Sequence, residues 1–385
     1  MKEVVIVDAV RTPIGKGNLK NGIYRDTYSD ELGKTALTRL LKRNPFDVSL
    51  IDDAIFGCVK QEEEQGFNVA RQILLLSGLP VELSAMTVNR LCGSGLEAIN
   101  QAALSIMAGY GDIIIAGGVE HMAHIPMGQG LNFNPGLFKY FSKDMIYMGP
   151  TAELLSHKYG ITREQQDEFS MRSHQKASRA RDAGDFKDEI APCYGRDSQG
   201  MRQLYTEDQG IRSDTTLESL SSLKPAFLKT GGTITAGNSS QISDGAAALL
   251  VMSRERCREL GFEPMARVRS MATAGVDPSL FGIGPVPAVQ KALKLANLTL
   301  SDINAIELNE AFAVQALAVI QELNIDSDIV NMNGGAIALG HPLGCTGSRV
   351  TTTLLHLMKR KKLSLGMSTM CIGLGQGIAT IFESL

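Results

Sequence analysis

The chain has 385 residues, of which 44% are hydrophobic and 21% charged, and its formal net charge is −3. This length exceeds what a single hydrophobic core usually supports, so we expect two core-forming units, and the composition excludes a disordered protein. The small negative charge argues against a nucleic-acid-binding protein, which would carry a basic face.

The cysteines and the N-terminal residues indicate a reducing compartment. Six cysteines are spread along the whole chain and do not form a compact disulfide framework. Met1–Val7 begins a strand pattern without an apolar leader, and every apolar run is far shorter than the ~18 residues that a membrane-spanning helix requires. We therefore expect a cytoplasmic protein with no membrane anchor.

The first part of the chain alternates strand and helix patterns, which is typical of an α/β protein. Val4–Val7 is a short apolar run of the kind found in strands buried on both faces. Gly93–Ala108 repeats apolar residues at three- and four-residue spacing, which predicts a helix that begins beside Cys92. Ile113–Ala116 predicts the following strand.

The middle of the chain loses this alternation and becomes rich in polar residues, Met and Gly, which predicts an inserted loop domain. A second α/β unit is predicted to open at Ala266–Ser270, with strands at Ile306–Asn309, Ile329–Asn333 and Met367–Cys371. The two α/β units resemble degenerate copies of one another. We therefore predict an N-terminal half of residues 1–119 and 242–262, a loop domain of residues 120–241, and a C-terminal half of residues 263–385.

Cys92 has the surroundings of a nucleophile. It lies in the motif Asn89–Gly95, whose glycines are poor core residues but suit a tight loop that exposes a thiol beside its own N–H group. A helix N-terminus or a nearby imidazole would lower the pKa of the thiol from its reference of about 8.5. The remaining cysteines outside glycine motifs are interpreted as small buried apolar residues, namely Cys58, Cys193, Cys257 and Cys345.

His341 and Cys371 also lie in glycine-bearing motifs. A glycine-rich segment and Pro342 form a rigid loop around His341, which taken alone suits a structural histidine as well as a catalytic one. Cys371 is followed by Gly373, Gly375 and Gly377, whose N–H groups could serve as oxyanion donors. Two thiols and an imidazole in such loops favour covalent acyl transfer. The other histidines have no comparable surroundings and are interpreted as structural: His121, His124, His157, His174 and His356.

Metal and nucleotide sites are disfavoured by spacing. No Cys-x-x-Cys or His-x-x-x-His pair lies near the three candidate residues, as a zinc site would require. The glycines of Gly373–Gly377 lack the spacing of a phosphate-binding loop or a dinucleotide fingerprint. We expect no metal ion and no nicotinamide or nucleotide-hydrolase function.

These motifs resemble those of the thiolase family, and the resemblance covers essentially the whole chain. They occur in the family's order: Asn89–Gly95, Asn309–Ala313, Asn333–Gly347 and Cys371–Gly377. The resemblance implies the thiolase fold, an α/β fold of two similar halves. Each half would hold a mixed five-stranded sheet with helices, and the whole would form five layers in the order α-β-α-β-α with the loop domain inserted.

The resemblance also implies a Claisen-type mechanism. Cys92 would form the acyl-enzyme after giving its proton to His341, and Cys371 would act as the acid or base at the α-carbon of acetyl-CoA. One oxyanion hole would use His341 with a water held by Asn309, and the other would use the backbone N–H groups of Cys92 and Gly373.

Coenzyme A would enter as a substrate and not as a cofactor. The positions that match the family's CoA-contacting residues are Arg212, Leu223, Phe227, Ala236 and Ser240, with Met148 and Phe312 at the pantetheine end. For Arg212, an ordinary solvated charge stays open as the alternative, and for Met148 and Phe312 the alternative is ordinary apolar packing.

Within the family, Glu64–Asn68, Gly118–Met122 and Cys371–Gly377 resemble the beta subunit of the bacterial fatty-acid oxidation complex. This implies a 3-ketoacyl-CoA thiolase of β-oxidation, a homodimer or larger, that could join an alpha subunit as two alpha and two beta chains. Tyr147 stands where biosynthetic acetoacetyl-CoA thiolases tend to carry histidine. An acetyl-CoA acetyltransferase remains the alternative, and a non-catalytic acyl-CoA binder is disfavoured because a binder does not need all three reactive residues.

Overall fold

The structure is a computed structural model that describes residues 1–385, with every side chain except that of Met145. Its strands are β1 Val4–Arg11, β2 Gly15–Lys16, β3 Asp53–Gly57, β4 Met86–Val88, β5 Ile113–His121, β6 Cys193–Arg196, β7 Arg202–Tyr205, β8 Ser243–Ser253, β9 Ala266–Gly275, β10 Ala305–Leu308, β11 Leu365–Ile372 and β12 Gln376–Glu383. Its α-helices are α1 Ser29–Arg43, α2 Val69–Leu76, α3 Ser94–Met107, α4 Met148–Tyr159, α5 Arg163–Asp182, α6 Leu217–Ser221, α7 Arg254–Glu259, α8 Pro285–Ala296, α9 Ala313–Leu323, α10 Ala336–Leu339 and α11 Leu343–Lys361.

The large sheet consists of two halves with the same strand arrangement. Its order is β10-β11-β12-β9-β1-β8-β5-β3-β4, with β2 beside β8. The halves meet where β1 and β9 pair over two residues each. Outward from this junction, the first half has the order β1-β8-β5-β3-β4. The second half has the order β9-β12-β11-β10, and an isolated parallel bridge between Ile306 and Val330 takes the place that corresponds to β4. The prediction of a strand at Ile329–Asn333 is therefore wrong, since only this bridge occupies the position.

Strand β1 shows how the sequence builds the layers. All eight residues of β1 are buried, and successive side chains point to opposite faces of the sheet. Val4 and Ile6 join the core that contains α3 and α11, whereas Val5 and Val7 join the core beneath α1 and α2. A third core lies between β9–β12 and the helices α8 and α9. The central pair α3 and α11 thus lies between the two halves of the large sheet, each covered outside by helices, which confirms the five-layered fold.

The segment between β5 and β8 contains α4, α5, α6 and the separate hairpin β6–β7. Within the described residues, this segment contributes no strand to the large sheet. Thr162 begins α5 with a capping box to Gln165, which satisfies N–H groups of the first turn. The exact limits of a loop domain at residues 120 and 241 stay a prediction.

The two longest helices carry many polar residues. Helix α5 has 20 residues and a largely charged surface, and α11 has 19 residues with the buried threonines Thr351, Thr352 and Thr353. None of the described helices combines the length and the apolar character that crossing a membrane requires.

Candidate active site

A strained turn places Cys92 directly ahead of α3. Leu91 has φ of 46°, a left-handed conformation that is unfavourable for a branched side chain. Two side chains hold the turn: Asn89 Oδ1 accepts from the N–H of Leu91 at 2.9 Å, and Ser94 Oγ donates to the Leu91 carbonyl at 2.6 Å. The predicted helix over Gly93–Ala108 is confirmed as Ser94–Met107.

The Cys92 thiol is buried and protonated at neutral pH. Burial raises its pKa to about 11, although the backbone N–H groups of Gly373 and Cys92 contact the sulfur and favour the thiolate. The expectation that the helix N-terminus would lower this pKa is wrong, because the loss of hydration outweighs the donors. The sulfur therefore needs a base before it can attack a carbonyl.

A second thiol lies next to the first. Cys371 is 1% exposed at the end of β11, and burial together with the neighbouring Cys92 sulfur raises its pKa well above the usual range. The turn that follows is left-handed at Leu374 and Gly375, with φ of 62° and 78°. This turn brings the N–H of Gly373 onto the Cys92 sulfur. Two buried thiols thus lie side by side, and the backbone N–H of Gly373 contacts the sulfur of Cys92.

His341 lies in the loop between α10 and α11. Gly340 has φ of 107°, and a Cβ there would lie 2.5 Å from Ser243 Oγ, so this position requires glycine. Ser243 Oγ also accepts from the backbone N–H of His341 at 3.2 Å. Two residues further on, Leu343 packs against Cys92 and Met122 in one apolar cluster. Among the described residues no hydrogen bond joins His341 to Cys92, and the packing of Leu343 against Cys92 is what brings their two loops together.

The imidazole of His341 is neutral and contacts Asn309. Burial and, to a smaller extent, the nearby Arg349 charge lower the pKa of His341 to about 3. Its Nε2 lies 3.4 Å from Asn309 Nδ2, and its Nδ1 lies 2.6 Å from Thr346 Oγ1. Asn309 follows β10 and its Oδ1 is buried without a hydrogen-bond partner. An amide and an imidazole thus share one side of the site.

Glu120 was missed by the sequence analysis. Its fully buried carboxylate accepts from the backbone N–H groups of Val59, Lys60 and Gly344 at 2.9, 3.0 and 2.7 Å and from Gln65 Nε2 at 2.9 Å. It therefore ties the loop after β3 to the loop that carries His341. A carboxylate within the apolar, glycine-containing strand β5 was the available signal, because a buried charge needs such partners.

The candidate CoA residues fall into three groups. Phe227 and Phe312 meet edge to face at 6.2 Å, and Met148 packs on the cluster that contains Phe312 and Cys371. The backbone N–H of Ser240 donates to the Ala311 carbonyl at 3.0 Å, beside Phe312. These residues form one wall that ends at the thiols.

The other two groups lie outside this wall. Ala236 is exposed, and the Leu223 side chain lies against its neighbour Gly237. Arg212 is exposed, and its backbone N–H donates to His174 Nδ1 at 3.2 Å. Their assignment to CoA stays a prediction.

The structure also brings together two histidines that had each been interpreted as structural. The rings of His121 and His124 stack at 3.8 Å, and their nitrogens and a Glu64 oxygen lie within 4.8 Å of one another. His124 Nδ1 lies 3.0 Å from Glu64 Oε2, and its Nε2 lies 2.9 Å from the Arg25 carbonyl. The Glu64 contact raises the pKa of His124 to about 9. The imidazolium has no lone pair for a cation in this arrangement.

Family models match almost the entire chain. The model described as "Thiolase, N-terminal domain" matches residues 4–255, and the model described as "Thiolase, C-terminal domain" matches residues 262–384. The chain belongs to the thiolase family. Its two buried thiols, its imidazole and its amide therefore lie in the motif loops of a thiolase.

Curated thiolases are similar over their full length. The chain is 53% identical over 387 residues to a 3-ketoacyl-CoA thiolase of Idiomarina loihiensis and 54% identical over 387 residues to one of Cronobacter sakazakii, with 100% of each chain covered. Among solved structures, it matches human mitochondrial 3-ketoacyl-CoA thiolase with a TM-score of 0.91 at 38% identity. It matches Bacillus anthracis acetyl-CoA acetyltransferase with a TM-score of 0.91 at 39% identity. Both structural matches cover 100% of this chain and 99% of the other.

Proposed function

We propose that the chain is a 3-ketoacyl-CoA thiolase, an acetyl-CoA C-acyltransferase that cleaves 3-ketoacyl-CoA with CoA into acetyl-CoA and a shortened acyl-CoA. The observation that carries the proposal is the pair of buried thiols, Cys92 and Cys371, beside the backbone donor of Gly373. Full-length relatives with this name support the substrate class. The reaction is the last step of a β-oxidation cycle.

In the first half-reaction the Cys92 sulfur attacks the keto carbonyl, and its proton passes to Nε2 of His341. The bond between the α- and β-carbons then breaks, and the acyl group stays on Cys92 as a thioester. The acetyl-CoA carbanion takes the proton of Cys371. Because both thiols are protonated in the resting site, each has the proton that its step requires.

In the second half-reaction the CoA thiol gives its proton to the Cys371 thiolate and attacks the thioester. Cys92 leaves as a thiolate and takes back the proton from His341, which restores the site. The negative charge on the carbonyl oxygens is stabilised by two sets of donors. We assign one to His341 with a water held by Asn309, and the other to the N–H groups of Cys92 and Gly373.

We propose that residues 120–241 hold CoA as a substrate and that no separate cofactor takes part. Met148, Phe227 and Phe312 form an apolar wall beside Cys371, which suits the pantetheine arm. Arg212 is exposed and offers a guanidinium to the phosphates of the nucleotide. Leu223, Ala236 and Ser240 complete the predicted contacts.

We further propose that the enzyme works in the cytoplasm as a homodimer or larger assembly. The sequence resemblance to the beta subunit of the fatty-acid oxidation complex supports an assembly with an alpha subunit as two alpha and two beta chains. Measuring the mass of the native particle, alone and after co-expression with the cognate alpha subunit, tests this proposal. A monomer in both cases would contradict it.

The test of activity is CoA-dependent thiolysis by the purified chain with acetoacetyl-CoA and 3-ketohexadecanoyl-CoA. We expect cleavage of the long substrate to be faster, and we expect Cys92→Ala to lose at least ~10³-fold because the covalent route is removed. Cys257→Ala is the matched control, since Cys257 is a buried cysteine in α7 that contacts the Phe262 carbonyl. Activity confined to acetoacetyl-CoA would instead support an acetyl-CoA acetyltransferase, which the likeness to the Bacillus anthracis enzyme favours. No thiolysis of either substrate would overturn both.

A further inference from the structure

Thr346 lies one turn inside α11 and is fully buried against the imidazole of His341. Its Oγ1 makes two close polar contacts, 2.6 Å to His341 Nδ1 and 2.8 Å to the Pro342 carbonyl oxygen. The second contact is the usual hydrogen bond from a helical threonine to the carbonyl four residues earlier. The first contact is not explained by helix geometry and joins Thr346 to the candidate base.

The number of hydrogens on each group shows which atom is the donor in each of the two contacts. The hydroxyl has one hydrogen and two lone pairs, whereas a carbonyl oxygen can only accept. The hydroxyl must therefore donate to Pro342, because two acceptor oxygens at 2.8 Å without a hydrogen between them would repel each other. It then accepts at its lone pair, so Nδ1 of His341 must be the donor and must carry the ring hydrogen.

The opposite side of the ring agrees with this arrangement. With the hydrogen on Nδ1, the Nε2 atom carries a lone pair, and Asn309 Nδ2 at 3.4 Å directs a donor toward it. A hydrogen on Nε2 would instead face the hydrogens of that amide. The contacts on both sides of the ring therefore select the same tautomer.

The tautomer matters because the ring is neutral. A neutral imidazole can accept a proton only at the nitrogen that lacks hydrogen, so a ring with its hydrogen on Nε2 would be unable to act as a base on the side of Asn309. We propose that Thr346 is a positioning residue that holds His341 in the Nδ1–H tautomer and so keeps Nε2 available to take the proton of Cys92. This proposal rests on the proposed function, in which His341 is the base.

Thr346 also provides for the charged form of the ring. After the proton transfer, both ring nitrogens are donors, and Thr346 Oγ1 continues to accept from Nδ1 without any rearrangement. The imidazolium is thus formed in a site where one of its two donors is already paired. The other donor, on Nε2, becomes available to the oxyanion of the substrate.

The test compares Thr346→Val, which keeps the shape and removes the hydroxyl, with Thr346→Ser, which keeps the hydroxyl. We expect the valine variant to lose about 10- to 100-fold in kcat with little change in KM, since Nδ1–H is left without an acceptor. The serine variant should recover most of the rate. Thr352→Val is the matched control, because buried Thr352 makes the same 2.8 Å hydrogen bond, to the Ser348 carbonyl, in the same helix and no hydrogen bond to His341.

A direct readout of the ring separates positioning from stability. Nitrogen-15 NMR of labelled wild-type protein, with the His341 signals assigned by comparison with His341→Ala, reports which ring nitrogen carries hydrogen. We expect hydrogen on Nδ1 in the wild type and in Thr346→Ser, and a mixture or the reversed tautomer in Thr346→Val. Hydrogen on Nε2 in the wild type, or a valine variant as active as Thr352→Val, would overturn the proposal.

The proposed function can fail separately from this inference. Absence of thiolysis by the wild-type chain would contradict the function, whereas the wild-type tautomer is measured without any substrate. If Thr346→Val does not fold, the wild-type NMR measurement still tests the assignment.

Discussion

The two halves of the molecule share one strand order but use corresponding positions differently. In each half a central helix follows a reactive residue: Cys92 precedes α3, and His341 precedes α11. The strand ends beside these helices diverge. In the second half they carry Asn309 and Cys371, and in the first half they carry Cys58 and Glu120. The two similar halves therefore provide corresponding strand ends, and the side chain at each strand end determines whether it can take part in the reaction.

Hydrogen bonding explains the difference between the halves. Glu120 is saturated by four N–H donors, two from the loop after β3, one from the Gln65 side chain and one from the start of α11, so it connects these segments and has no free lone pair directed at a substrate. Asn309 has an unpartnered Oδ1, and the Cys371 thiol lies in an apolar cluster beside Cys92. A polar group left unpaired in the interior lowers stability and is retained where it serves a substrate. Loss of the strand-end cysteine is thus expected to be tolerated in the first half, at Cys58, and not in the second half, at Cys371.

The largest difference in activity is expected between two variants in which a strand-end cysteine is replaced by alanine, one in each half. Cys371→Ala removes the proton donor to the carbanion and should lower the rate of thiolysis by ~10²–10⁴-fold. Cys58→Ala should leave the rate within about twofold and cost about 1 kcal/mol of unfolding free energy through the lost packing. Steady-state kinetics and urea unfolding of both variants measure this. Equal losses of activity would show that the two positions are not functionally different.

The next effect concerns Asn309. Replacement by alanine removes the amide that faces His341 Nε2 and should lower kcat by ~10²–10³-fold, the usual loss of an oxyanion-hole donor. Asn100→Ala is the matched control, because Asn100 Oδ1 accepts from Thr380 Oγ1 at 2.8 Å between α3 and β12. That control should lower the melting temperature and preserve the rate. A normal rate in Asn309→Ala together with a lowered rate in Asn100→Ala would contradict the assignment of Asn309 to the oxyanion hole.

Glu120→Gln should affect stability more than chemistry. The amide nitrogen can no longer accept two of the four N–H groups, and we expect the free energy of unfolding to fall by about 2–3 kcal/mol. Chemical unfolding monitored by circular dichroism gives this value. A variant as stable as the wild type would mean that the loops around residues 59 and 344 are held by other contacts.

The smallest effect is a pH dependence without mutation. Because burial raises the pKa of Cys92 to about 11, the rate of its alkylation should rise about tenfold per pH unit from pH 7 to 9.5, with no plateau. Free cysteine instead levels off above its pKa of about 8.5. Peptide mass spectrometry of the alkylated protein follows Cys92 alone. A plateau near pH 8 or below would show that the thiolate is stabilised in the free site.

The sequence predicted the features that depend on local pattern. The apolar run of β1 and the periodicity of α3 were sufficient to place both elements, and the motif glycines indicated the loops around Cys92, His341 and Cys371. Their catalytic roles stay predictions that the experiments above test.

The features that sequence reasoning missed depend on contacts between distant residues. Glu120 bonds to Gly344, which is 224 positions away, and no local pattern encodes that pairing. The pKa of Cys92 follows from burial by the whole fold and not from its nearness to a helix N-terminus. The predicted strand at Ile329–Asn333 failed because Asn331 takes a left-handed φ of 46° and its side-chain amide, in place of a strand backbone, bonds to the N–H and carbonyl groups of Leu308.

The proposed mechanism depends most on Cys92 as the residue that carries the acyl group. Brief incubation of the purified chain with excess acetyl-CoA, followed by acid quenching and intact-protein and peptide mass spectrometry, tests this directly. We predict one acetyl group per chain, located on Cys92, absent from Cys92→Ala and removed by added CoA. Turnover with the acetyl group on another residue, or turnover that continues in Cys92→Ala, would contradict the account.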